Sequence, residues 1–91
     1  MRPQETMNRE KLITKLKKKG LVVRGTSEEF DGTEGGIWIS AEEEMNQWHF
    51  DYYAESNRFQ LGVSEEINKL LEDKGWFAEW YDPGTVFIYE I

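Results

Sequence analysis

The sequence predicts an α+β domain in the order α-β-β-β-α-β-β, a mostly antiparallel sheet with two helices packed on one face. Three observations carry this. Two segments of helical period each end in Lys-Gly, the turn Asp82-Pro83-Gly84 joins two aromatic-rich runs, and thirteen of the 91 residues are Phe, Tyr or Trp. At this length a chain forms one core. Residues 1–6 are expected to be a disordered N-terminal extension, and residues 7–91 a single domain.

The first helix is expected between Met7 and Lys19. Leu12, Ile13 and Leu16 recur at helical spacing, Thr6 or Asn8 can cap the start, and Gly20 can stop the end. Lys17, Lys18 and Lys19 fall in the last turn, where cations stabilise the negative end of the helix. A short strand, Leu21 to Arg24, follows. Residues 26–36 then read as a polar loop in which only Phe30 is anchored. The second strand is Ile37 to Ser40. The third, Gln47 to Glu55, alternates, and the reading assigns Trp48, Phe50, Tyr52 and Ala54 to the core. Gln47, His49, Asp51, Tyr53 and Glu55 then point outward.

Ser64 is placed to cap the second helix, with Glu65 and Glu66 in its first turn and Ile67, Leu70 and Leu71 on the buried stripe. Strands over 76–81 and 85–91 complete the chain. In the turn between them Pro83 sets the first backbone angle, Asp82 bonds backbone amides and Gly84 supplies a positive φ. Trp76 and Trp80 are expected in the core, which leaves Phe77, Glu79 and Tyr81 on the other face.

Charge narrows the function classes. The chain has a net charge of −7, divided unevenly: residues 1–24 hold eight Lys and Arg against two Glu, and the remainder holds sixteen acids against three bases. With no cysteine, disulfides, thiolate catalysis and cysteine-ligated zinc are excluded. No apolar run approaches the roughly 20 residues of a membrane-spanning helix. The first residues lack the apolar stretch of a secretory signal, so a cytoplasmic protein without a membrane partner is expected.

The candidate binding surface is the outward sheet face: Trp38, His49, Asp51, Tyr53, Glu55, Glu79 and Tyr81. Exposed Trp and Tyr provide rigid contact area and dominate binding energy where they occur. A hydrolytic or metal-dependent enzyme centred on His49 and Asp51 is the alternative, since those residue types two apart on one strand could act as an acid-base pair or as ligands. With one histidine and no marked nucleophile, the sequence assigns no catalytic residue, no metal and no cofactor. Nucleic-acid binding by the basic helix 7–19 is a further alternative. The αβββα opening resembles a double-stranded RNA-binding domain, but the second helix begins Ser64-Glu65-Glu66 where that family carries basic residues. The acidic loops, with Glu28, Glu29, Asp31, Glu34 and Glu42-Glu43-Glu44, could instead mimic nucleic acid toward a basic protein groove.

The segments Phe50-Asp-Tyr-Tyr-Ala-Glu55 and Gly75-Trp-Phe-Ala-Glu-Trp-Tyr-Asp-Pro-Gly-Thr85 resemble small uncharacterised proteins of tailed bacteriophages, over about residues 35–91. That group has no established activity or site residues to carry over. The resemblance implies a phage or prophage accessory protein acting inside a bacterial cell. The combined expectation is a non-enzymatic module, monomer or homodimer, that binds a host or phage protein through its acidic-aromatic sheet face.

Overall fold

In a computed structural model, which describes residues 6–54 and 59–91, the first helix α1 runs Arg9–Lys18. The Asn8 side chain caps it by accepting from the Lys11 amide at 2.9 Å. Leu12 and Leu16 are fully buried, and the lysines take the solvent faces. Most of the predicted N-terminal extension, residues 1–5, lies outside the described residues. Met7 is tied in: its amide donates to the Lys74 carbonyl, and its own carbonyl accepts from Trp76 Nε1 at 2.7 Å.

Leu21 to Arg24 does not form the predicted strand. Only Gly25–Thr26 (β1) joins the sheet, because the Asn46 carboxamide occupies Val22 in place of a neighbouring backbone. The predicted loop over 26–36 contains a helix, α2 (Ser27–Asp31). Thr26 and Glu29 form a reciprocal capping box, and Gly32 ends the helix at φ +84°. Strand β2 (Ile37–Ser40) follows as expected.

The largest correction falls on Gln47 to Glu55. Gln47 to Ala54 is not a strand, and Glu55 lies outside the described residues. A 3₁₀ turn occupies Glu44–Trp48, a single bridge pairs Phe50 with Val63, and a turn follows. Of the four residues assigned to its core face, Phe50 is fully buried and Ala54 partly so, whereas Trp48 is 66% exposed and Tyr52 also faces solvent. The alternation arose from aromatic residues that pack locally. Tyr52, for example, meets the Trp80 ring edge-on at 5.2 Å.

Two short strands absent from the sequence reading, β3 (Phe59–Gln60) and β4 (Val63–Ser64), form a small hairpin. Ser64 then caps α3 (Glu65–Asp73), accepting from the Ile67 amide. Strands β5 (Trp76–Asp82) and β6 (Thr85–Glu90) are joined as predicted, and Asp82 Oδ1 accepts from the Gly84 amide at 2.9 Å. Gly84 itself is not among the glycines of positive φ. A Cβ there would sit 3.2 Å from the carboxylate of exposed Glu42, a close contact that this side chain can relieve by moving.

The main antiparallel sheet has the order β1-β2-β6-β5, so the fold class is α+β as predicted, with a third helix and a second, two-stranded sheet. Ile37, Ile39, Val86, Ile88 and Trp76 form one core with Leu12 and Leu16 of α1 and Ile67 and Leu71 of α3. Two amphipathic helices against one sheet face bury both apolar stripes at once. Trp80 is only partly buried at the margin of this core.

Candidate recognition surface

Directly paired strand residues place their side chains on the same sheet face. Trp38 pairs with Phe87, Glu79 with Phe87 and Phe77 with Tyr89, so all five lie on the face opposite the core helices. Phe30, carried by α2, lies over this face. Its ring meets Trp38 at 4.9 Å, Phe87 at 5.1 Å and Tyr81 at 5.1 Å, each close to edge-on. Phe87 continues to Tyr89 at 5.9 Å, and Tyr89 to Phe77 at 6.2 Å. Six rings therefore run as one connected group across the sheet. Offset and edge-on pairs of this kind add about 0.5–1.5 kcal/mol each beyond burial, which makes the platform rigid.

The group is graded in exposure. Phe87 is buried, Trp38 and Tyr89 are half-buried, and Phe77 (40%) and Tyr81 (55%) stand open on either side of Glu79. Trp38 is less available than its sequence position suggests, because Phe30 covers one part of the ring and the Arg24 guanidinium lies 5.5 Å from its centroid.

The electrostatics are acidic. Glu28 Oε2 accepts from the Gly35 amide at 2.9 Å and Oε1 from Arg9 at 2.7 Å. These hydrogen bonds, the Gly35 amide first, hold its pKa down at about 2. Asp31 is lowered by hydrogen bonds from Thr33. Tyr89 is raised, first by burial and then by the negative charges of Asp31 and Glu79. Glu28 and Asp31, both held ionised, thus border the aromatic group beside Arg9, which pairs with Glu28, and Arg24, which lies over Trp38, and the Tyr89 phenol is held protonated.

The seven candidate residues separate. Trp38, Glu79 and Tyr81 come together on this face. His49, Asp51 and Tyr53 do not share it, since the strand that was to carry them is replaced by turns; Glu55 lies outside the described residues. His49 faces α3, with Nδ1 2.8 Å from Ser64 Oγ and 3.9 Å from a Glu66 oxygen, and Glu66 also pairs with Lys19. Asp51 Oδ1 accepts from the Tyr53 amide at 3.1 Å, which closes a local turn. Tyr53 is 75% exposed beside a hollow of about 340 Å³ that includes Asp51, Tyr52 and Pro83.

The Ser64-His49-Glu66 cluster lacks the geometry of a hydrolytic relay. Such a relay needs the nucleophile on one imidazole nitrogen and the carboxylate on the other. Here both approach Nδ1, and the Ser64 hydroxyl is buried and caps a helix. Among the described residues no group of three His, Asp or Glu side chains is arranged to hold a metal ion. No helix of the described residues is long and apolar enough to cross a membrane.

Phe30, Phe77, Phe87 and Tyr89 were absent from the sequence-based candidates. Two signals could have found them. Thr26-Ser-Glu-Glu29 is a capping box that predicts a helix beneath Phe30. The Asp-Pro-Gly turn marks a hairpin of two aromatic strands, although the pairs Phe77–Tyr89 and Glu79–Phe87 themselves come from a one-residue bulge between Trp80 and Asp82 that shifts the register set by Asp82 opposite Thr85. No known family, curated protein or solved structure matches this chain.

Proposed function

We propose that the protein is a non-enzymatic binding module whose outer sheet face receives a basic surface of a protein partner. The observation that carries this reading is the placement of Glu79 between exposed Phe77 and Tyr81, on a connected aromatic platform bordered by Glu28 and Asp31. Rigid rings provide contact area at little entropic cost, and carboxylates beside them favour Lys or Arg, which can also stack on the rings. The same charge disfavours nucleic acid on this face, because ionised carboxylates would repel phosphates. The resemblance to tailed-phage proteins supports a bacterial host protein as the partner and the bacterial cytoplasm as the place of action.

Site-specific photo-crosslinking in bacterial lysate tests the reading. A crosslinker replacing Tyr81 should trap a partner, and one replacing Tyr53 should not. Glu79→Lys should reduce the yield at position 81 by about tenfold, as reversal of a central contact charge requires. Trapping only from position 53, or yields indifferent to Glu79→Lys, would overturn it.

A further inference from the structure

The two edges of the main sheet differ. At one, the two-residue β1 leads into α2. At the other, β5 is seven residues long and pairs only with β6 among the described residues. The Ile91 amide donates to the Gly75 carbonyl, and this fixes the alternation of the ladder. The Gly75 carbonyl and the backbone groups of Phe77 and Glu79 are directed toward β6, and those of Trp76 and Ala78 toward the open edge. Strands left open in this way are templates for another strand.

A groove of about 420 Å³ follows that edge on the core side. Trp76, Ala78 and Trp80 form its floor, and Leu61 of the β3–β4 hairpin and Ile91 extend its apolar surface. Leu61 is 88% exposed at φ +51°, a left-handed conformation that a bulky residue rarely adopts. The hairpin is held there by Trp80 Nε1, which donates to the Leu61 carbonyl at 2.7 Å. Among the described residues Glu72 also lines the groove and no cation does, while Glu79, at its border, carries its carboxylate on the opposite, aromatic face.

From the open backbone of β5, the apolar groove on one face of it and the Glu79 carboxylate on the other, we propose that β5 accepts an extended segment of another protein as an additional antiparallel strand. The added segment alternates apolar and basic residues. The register follows from the face of each β5 side chain. A residue opposite Ala78 points into the groove and is apolar; its neighbour opposite Glu79 points to the aromatic face and is Lys or Arg. Backbone hydrogen bonds to Ala78 would supply affinity, and the alternating side chains specificity. A second copy of this chain fits less well, because antiparallel pairing of β5 with itself about Ala78 sets Glu79 opposite Phe77 of the other copy and so places no cation directly opposite that carboxylate. This strand-addition site stands on its own observations and does not require the outer face to be the partner's main contact.

The probe is a synthetic peptide of alternating Val and Lys, long enough to span β5, titrated into the intact protein at low salt. Amide hydrogen exchange and chemical shifts are read by NMR. Exchange at Ala78 should slow by about tenfold or more at saturation, since a new hydrogen bond covers that amide. N-methylation of the Val residues, whose amides face β5 in this register, should weaken binding by at least about tenfold, whereas N-methylation of the Lys residues should leave it within about twofold. Equal sensitivity to both methylations would overturn the proposal. So would unchanged exchange at Ala78 with shifts confined to Trp38 and Phe87, which would place the peptide on the aromatic face. A concentration-dependent dimer that protects Ala78 without peptide would overturn it in favour of self-pairing. If crosslinking from position 81 fails while the methylation contrast holds, the edge site stands and the outer-face reading falls.

Discussion

The Asn46 carboxamide reproduces one rung of a β-ladder against Val22. Its oxygen accepts from the Val22 amide at 2.8 Å, and its nitrogen donates to the Val22 carbonyl at 2.9 Å. The same nitrogen also donates to the Ser40 carbonyl at 2.9 Å, and Asn46 is fully buried. One side chain therefore fastens the segment after α1 to the end of β2. Asn46→Ala should leave these backbone groups without partners and destabilise the protein by about 2–4 kcal/mol. Asn46→Asp should fail as well, because a carboxylate keeps the acceptor and loses both donated bonds. Urea denaturation should give a lower midpoint at unchanged slope for each variant.

Gly36 is required by contact. A Cβ at this position would lie 2.6 Å from a carbon of the Tyr89 ring and 2.9 Å from Ser27 Oγ, which is itself buried and accepts from the Gly36 amide. Gly36→Ala should displace Tyr89 and cost about 1–3 kcal/mol, a typical overpacking effect. In thermal unfolding that corresponds to a fall in Tm of roughly 4–8 °C per kcal/mol for a chain of this size. The displaced ring should also shift the NMR signals of Phe77 and Phe87, its neighbours on the platform.

Glu28 gives stability an acid limb. Its folded pKa is about 2 against an ordinary 4.5, so the folded state binds this proton less readily than the unfolded state. The contribution is fully present above about pH 4.5 and is lost as pH falls through 4.5 toward about 2. Glu28→Gln should flatten the decline in that window by lowering stability near neutrality, and change little near pH 2. Denaturation midpoints measured from pH 6 down to about 2 would check this.

The β3–β4 hairpin depends on one indole hydrogen bond and one glycine. Trp80→Phe keeps most of the aromatic packing and removes the bond to the Leu61 carbonyl, so a loss of about 1 kcal/mol is expected. Gly62 has φ +79°, and a Cβ there would come within 3.0 Å of the Asp51 carbonyl oxygen and of the Trp80 indole. Gly62→Ala should be the more damaging of the two. Both should accelerate amide exchange at Val63 and Asp51 more than at Ile88 in the main sheet.

Local chemistry made some elements legible in the sequence. The caps at Asn8 and Ser64 and the turn at Asp82 each act within a few residues, so α1, α3 and the β5–β6 hairpin could be read from composition and spacing. The segment after Ser40 could not. Trp48, Phe50 and Tyr52 have the period of a half-buried strand, yet Asn46 draws the chain into a 3₁₀ turn by bonding across to Val22 and Ser40. Side-chain bonds to a distant backbone leave no periodic trace. The candidate site inherited this misreading. Trp38, Glu79 and Tyr81 were grouped correctly with one another because two strands carry them, and His49, Asp51 and Tyr53 were added through a strand that does not form.

The lysines of α1 have a kinetic consequence. Lys11, Lys15, Lys17 and Lys18 occupy the helical layer, and Glu79 and Asp31 stand on the opposite side of the sheet, so the positive charge of α1 and these carboxylates lie on opposite sides of a net anion. In the field of a cationic partner such a body turns before it touches, with the aromatic face leading and the lysines trailing. Productive encounters then become a larger fraction of collisions, and the association rate should fall as salt screens the field. Neutralising the α1 lysines would leave every contact of the bound state intact and still alter how often the two surfaces meet in register.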